Sequence, residues 1–216
     1  MAEHPVASDR SQRLAAIGGW LVVAGCALVL VPVVMAALGQ TVAIGSSSLG
    51  GVALAVALAA LGAGFALLAV TGPRSIGGIG VRVGLGLLAV GIAATLVASV
   101  IAGMLTYDPL EELSFVIPFV AGALAIVIGI PATLIALLVR GGSPRRVAAT
   151  FLGGLAVVIV GGMVSSAILA NDPTASGPPV VASLVSAAGL ALMLVGTGGL
   201  GLTAIRGSEA PEAVAA

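Results

Sequence analysis

The chain is expected to be all-α: a polytopic membrane bundle of about six transmembrane helices, built as three like-oriented helical hairpins. Three observations predict this. Of the 216 residues 60% are hydrophobic and only 7% charged, and the mean hydropathy is +1.28, more apolar surface than a soluble domain of this length keeps from water. The apolar residues fall into six runs, each of the roughly 20 residues needed to cross the ~30 Å hydrocarbon core. Every basic residue lies in the tails or in alternate connections.

The runs cover residues 14–38, 48–71, 83–106, 115–139, 147–170 and 179–205. Gly, Pro, Ser and Arg clusters separate them and act as turns. No run contains an ionised residue. Helices are required because hydrocarbon offers no partner to an exposed backbone amide, and the alternating pattern of a barrel strand is missing. The first run follows Arg10 and Arg13 like a secretory signal, but it is longer than a signal's apolar core of ~7 to 15 residues and no clean cleavage site follows. It reads as a retained span. The domain reading is therefore an N-terminal tail at 1–13, a six-helix transmembrane domain at 14–206 and a C-terminal tail at 207–216, with no room for a separate catalytic domain.

Orientation follows from charge. Arg10, Arg13, Arg74, Arg82, Arg140, Arg145, Arg146 and Arg206 occupy one set of connections and tails, whereas Asp108, Glu111, Glu112 and Asp172 occupy the opposite connections. The positive-inside rule then places both termini in the cytoplasm of a multi-pass cell-membrane protein. The eight basic and eight acidic residues cancel, so no field recruits nucleic acid, and the expected surroundings are the lipid bilayer.

A repeat supports the hairpins. Arg82 precedes the third run and Asp108–Pro109 ends it; Arg146 precedes the fifth and Asp172–Pro173 ends it, at the same offset. Runs two, four and six leave into similar Gly- and Arg-containing turns. Three hairpins of like orientation, related by an axis along the membrane normal, would produce this, as would equal helix lengths under the charge rule alone.

Within the spans the legible signal is small-residue spacing, which lets helix backbones approach closely in lipid. Gly80 and Gly84, then Gly91, Thr95, Ser99 and Gly103, recur every fourth residue, with Ala94, Ala98 and Ala102 alongside. Span two offers Ala55, Ala59 and Ala63, and span five Gly154, Gly162 and Ser166. These stripes predict a tight intrachain bundle, with a membrane-protein partner or homo-oligomer docking through one stripe as the second reading. Pro32 lies in outer span one, Pro118 in the first turn of span four, and Pro131 where it removes a mid-helix hydrogen bond, giving a kink or hinge. Trp20 and Phe151 are expected as anchors at the inner interface, Tyr107 and Phe115 at the outer.

The chemistry is defined by absences. His4 is the sole histidine and lies in a tail; there is no Lys for a Schiff base; Cys26 is the only thiol, read as a small core residue. Without Asp, Glu, Lys or Arg inside a span, a proton relay is not expected. The Gly77, Gly78 and Gly80 cluster lacks the Lys and Ser/Thr of a nucleotide loop, and Ser165 and Ser166 have no intramembrane base. The carboxylates Asp108, Glu111, Glu112 and Asp172 read as solvated turns in preference to a weak cation site. No catalytic, cofactor or metal residue is assigned. Three Ala- and Gly-rich hairpins, with Gly25 followed by Pro32, are similar in hydropathy to small bacterial membrane proteins of stress-response type, and that likeness implies no site.

The expected function is that of a noncatalytic membrane component or subunit of a complex, not an enzyme. The alternative is a passive channel or small-solute facilitator lined by Thr95, Ser99, Thr133, Ser165, Ser166, Thr197 and Thr203. Hydroxyls converging on one axis would favour the channel; hydroxyls bonded back to their own helices would favour the component.

Overall fold

The structure, a computed structural model, describes residues 5–37, 43–44, 47–72, 76, 78–104, 109–140, 142–171 and 180–209. Its helices are α1 (Pro5–Ala37), α2 (Leu49–Thr71), α3 (Ile79–Met104), α4 (Pro109–Arg140), α5 (Gly142–Asn171) and α6 (Val180–Glu209). All six are long and apolar enough to cross a membrane. Between α1 and α2, β1 (Ala43–Ile44) and β2 (Ser47–Ser48) pair antiparallel, with Ala43 opposite Ser48. The reading of a bundle of six membrane-spanning helices therefore stands, with a short β pair between the first two that the sequence did not signal.

The surface explains why the chain belongs in lipid. Val139 is 83% exposed, Ile79 80% and Val70 74%, and at most 33% of any span is buried inside the protein. Large aliphatic side chains in water on this scale would be prohibitive; against lipid tails they cost nothing.

Each hairpin is a close pair, α1 with α2, α3 with α4 and α5 with α6, and α2·α3 and α1·α6 contacts join them into a ring. Of the sequence-adjacent pairs of helices, α4 and α5 touch least. The three hairpin seams share one design. Gly18, Val22 and Gly25 of α1 meet Ala57, Leu61, Gly64 and Leu68 of α2. Gly84 and Gly91 of α3 meet Gly122, Ile126, Gly129 and Thr133 of α4. Phe151, Gly154, Val158 and Gly161 of α5 meet Ser186, Gly189, Met193 and Gly196 of α6. On five of the six faces the steps alternate between three and four residues, and on α3 Gly84 and Gly91 are seven apart, the rhythm that keeps side chains facing a partner helix in a left-handed pair.

That rhythm corrects the predicted stripes. A four-residue step overshoots a helical turn by about 40°, so two such steps carry a residue off the seam, whereas seven residues return within about 20°. Gly80, Gly84, Gly91 and Thr95 do face α4, and Ala98 is buried, but Ser99 is exposed. Ala55, Ala59 and Ala63 are all exposed and form no intrachain stripe. On α5, Gly154 packs on α6, but its companion is Gly161; Gly162 has no atom within 4 Å of a built Cβ, and Ser166 is exposed.

The connection from α2 to α3 is fixed by two groups of hydrogen bonds. Gly72, at φ +51°, takes the left-handed conformation that ends α2, and its N–H donates to the Leu68 carbonyl at 2.9 Å, a common helix stop. Arg82, from the first turn of α3, donates from Nε to the Ala69 carbonyl and from a terminal guanidinium nitrogen to the Val70 carbonyl, both at 2.9 Å. Two carbonyls left without amide partners at the end of α2 are thereby satisfied, and a cation sits at the negative pole of the helix. Ile76, between these helices, is 1% exposed and belongs to the same buried apolar cluster as Val81 and Leu137.

Helix α4 runs unbroken through Pro118 and Pro131. Because α4 starts at Pro109, Pro118 lies well inside the helix and not in its first turn. Proline at the first position suits a helix start, where its missing N–H has no intrahelical partner to lose. Pro32 is likewise inside α1.

Candidate functional site: an apolar cavity within the ring

The hairpins are rigid because glycine lets their backbones touch. A methyl group at Gly154 would lie 2.6 Å from the Gly189 carbonyl oxygen, and one at Gly122 would lie 2.9 Å from the Gly91 carbonyl oxygen. Gly19 and Gly201 make a similar approach between α1 and α6, where a methyl on Gly19 would lie 2.6 Å from the Gly201 carbonyl oxygen. Gly62 receives Ile92 between α2 and α3. Among the described glycines, none brings α4 and α5 together in this way.

Where large side chains replace glycine, the helices stay apart. The result is a cavity of about 350 Å³ lined from all six helices, including Cys26, Leu61, Leu88, Ile130, Phe151 and Leu194. Its size is that of a small-molecule site. Cys26 is a buried free thiol, as its place in an apolar run implied. Phe151 departs from expectation: its backbone and Cβ approach Gly196 of α6, and the residue lines the cavity. Trp20 remains outward, 59% exposed.

Two hydroxyls reach the cavity, Thr133 and Thr197. Thr133 is 4% exposed, and its hydroxyl occupies the space above Gly84. Its Oγ1 donates to the Gly129 carbonyl at 2.8 Å, and Thr197 donates to Met193 at 2.9 Å. The pattern is general. Thr95 donates to Gly91, Ser99 to Thr95 and Thr203 to Gly199, each to the carbonyl four residues back. Such bonds spend the single O–H donor on the residue's own helix. Of the hydroxyls proposed to line a path, Thr95 lies in the α3–α4 seam, Ser99 and Ser166 are exposed, and Thr203 is half-buried. The Ser165 side chain falls outside the described residues. Among the described hydroxyls of that set, only Thr133 and Thr197 reach the cavity.

The carboxylates Asp108 and Asp172, and the side chains of Glu111 and Glu112, also lie outside the described residues, as do Tyr107 and the Phe115 side chain. At the arginine end a second hollow is lined by Gly142, Ser143, Arg145, Arg146 and Ala149.

Fold and cavity together define a multi-pass membrane helix bundle with an apolar interior. No family model, curated protein or solved structure matches the chain.

Proposed function

We propose that the protein is a noncatalytic component of the cell membrane that acts through contacts, as a subunit beside a membrane-protein partner or a second copy. The observation that carries this reading is the bonding of Thr95, Ser99, Thr133, Thr197 and Thr203 back to their own helices. A hydrophilic solute crossing the bundle needs polar groups free to replace its water, and these five spend their donors elsewhere. The apolar lining of the central cavity supports the same conclusion.

Both termini are cytoplasmic in this reading. It is supported by the placement of Arg10 and Arg13 in the N-terminal part of α1, and of Arg82, Arg140, Arg145, Arg146 and Arg206 at or near helix ends, which an alternating six-helix path gathers on one face. In a Cys26→Ala background, cysteines at Glu111 and Thr174 should react with an impermeant maleimide from outside, and cysteines at Ser75 and Ser143 only after permeabilisation. The reverse labelling would overturn the orientation.

The deciding experiment for function is purification of the tagged protein from its native membrane in mild detergent, with mass spectrometry of what accompanies it. A stoichiometric membrane protein is the expected result. Recovery of the chain alone, together with faster entry of small polar solutes into liposomes containing it, would replace this reading with the facilitator.

A further inference from the structure

The cavity and the loose seam beside it have one physical origin. Each hairpin is locked along its own glycine seam, and further glycine contacts pin α1 to α6 and α2 to α3. No described glycine of α4 or α5 meets the other of these two helices: Gly122 and Gly129 pack on α3, Gly154 and Gly161 on α6, and Gly153 and Gly162 meet nothing within 4 Å. The ring is thus fastened at every junction except α4–α5, and this junction is where contacts are fewest. Ile130 and Leu134 of α4, with Val147 and Phe151 of α5, line the cavity on the two sides of that junction.

We propose that the cavity holds an acyl chain of a membrane lipid, admitted from the bilayer between α4 and α5. The chemistry of the walls selects for this. Among the described residues no charged side chain lines the space, and the two hydroxyls that reach it donate to their own helix carbonyls, so these walls offer little to a polar solute. A flexible alkyl chain meets Leu, Ile, Phe and Met walls at no desolvation cost. An empty apolar space of about 350 Å³ would forfeit the dispersion contacts of all its walls, while hydrocarbon lies immediately outside the seam. The α4–α5 junction, where the ring is least tightly joined, offers the lateral route. The inference is independent of any protein partner.

The probe is phosphatidylcholine carrying a mid-chain diazirine, incorporated with the full-length protein into nanodiscs, irradiated and mapped by mass spectrometry. Adducts are expected inside the cavity, at Met193, Leu194 and Phe151, as well as on the lipid-facing residues Val139 and Val160. The same lipid carrying the diazirine on its headgroup should label the outer residues and leave Met193, Leu194 and Phe151 unlabelled, because only the chain enters. In Thr197→Phe, whose ring projects into the space, the interior adducts should fall several-fold and the Val139 and Val160 adducts remain, showing that the bundle is intact. Adducts confined to the outer face in the wild type, or interior adducts formed equally by the mid-chain and headgroup probes, would overturn the proposal. If Thr197→Phe does not fold, the wild-type comparison of the two probes alone decides.

Discussion

Gly153 and Gly154 are adjacent on α5, at almost the same depth, yet their surroundings differ completely. A Cβ built on Gly153 meets nothing within 4 Å, whereas one on Gly154 falls 2.6 Å from the Gly189 carbonyl oxygen, 2.6 Å from the Met193 amide nitrogen and 2.9 Å from Leu192 Cβ. The first two are backbone atoms and cannot swing aside. Restoring the 3.4 Å of ordinary contact requires α5 and α6 to part by 3.4 − 2.6 = 0.8 Å. Overpacking of this kind typically costs about 1–3 kcal/mol. Both Gly→Ala changes gain the same helical backbone term, roughly 0.5–1 kcal/mol, so it cancels between them. Gly154→Ala should therefore be less stable than Gly153→Ala by about 2 kcal/mol, a factor of roughly 30 in the folding equilibrium. The assay is provided by the chain itself. Cys26 is the sole cysteine and is buried, so a fluorogenic maleimide reports unfolding as dodecyl sulfate is titrated into mild-detergent micelles. Equal midpoints for the two variants would refute the seam and with it the three-and-four-residue rhythm.

Other outcomes follow from the same contacts. Arg82→Gln removes the guanidinium cap from α2; because the group is exposed, the loss should be about 0.5–1.5 kcal/mol by the same titration, and Arg82→Lys should recover only part of it, lacking the fork that reaches two carbonyls. Gly19→Ala drives a methyl to 2.6 Å from the Gly201 carbonyl oxygen and should lower stability by about 1–3 kcal/mol, with a cross-linker between α1 and α6 reacting more slowly; an unchanged cross-linking rate would argue against closure of the ring there. Thr133→Val keeps the shape and discards a hydroxyl bonded only to its own helix as far as Gly129, so its effect should stay below about 1 kcal/mol, and a larger loss would assign the hydroxyl a partner across the cavity.

The six spans, their approximate limits and the gathering of the arginines in the tails and alternate connections were all readable in the sequence. A bilayer constrains each span separately: its backbone must be satisfied within the segment and its length must match the hydrocarbon thickness. Cys26 in the core follows from the same hydropathy. Which face of each helix meets which neighbour was not readable, because both lipid and protein interior are apolar and no amphipathic period marks the buried side. Ala55, Ala59 and Ala63 have the composition of a contact stripe and face outward; Gly161 and Gly162 are the same residue side by side, and only the first meets a helix. Phe151 could serve equally as an interface anchor or as a wall of the cavity until Gly196 is placed opposite it. Arg82 carried the orientation signal in its charge, but its role as the cap of α2 depends on a turn that returns it to the Ala69 and Val70 carbonyls. Hydropathy along the chain thus determined the spans, and the lateral meeting of glycine backbones, visible only when the helices are assembled, decided the seams, the cavity and the unfastened junction between α4 and α5.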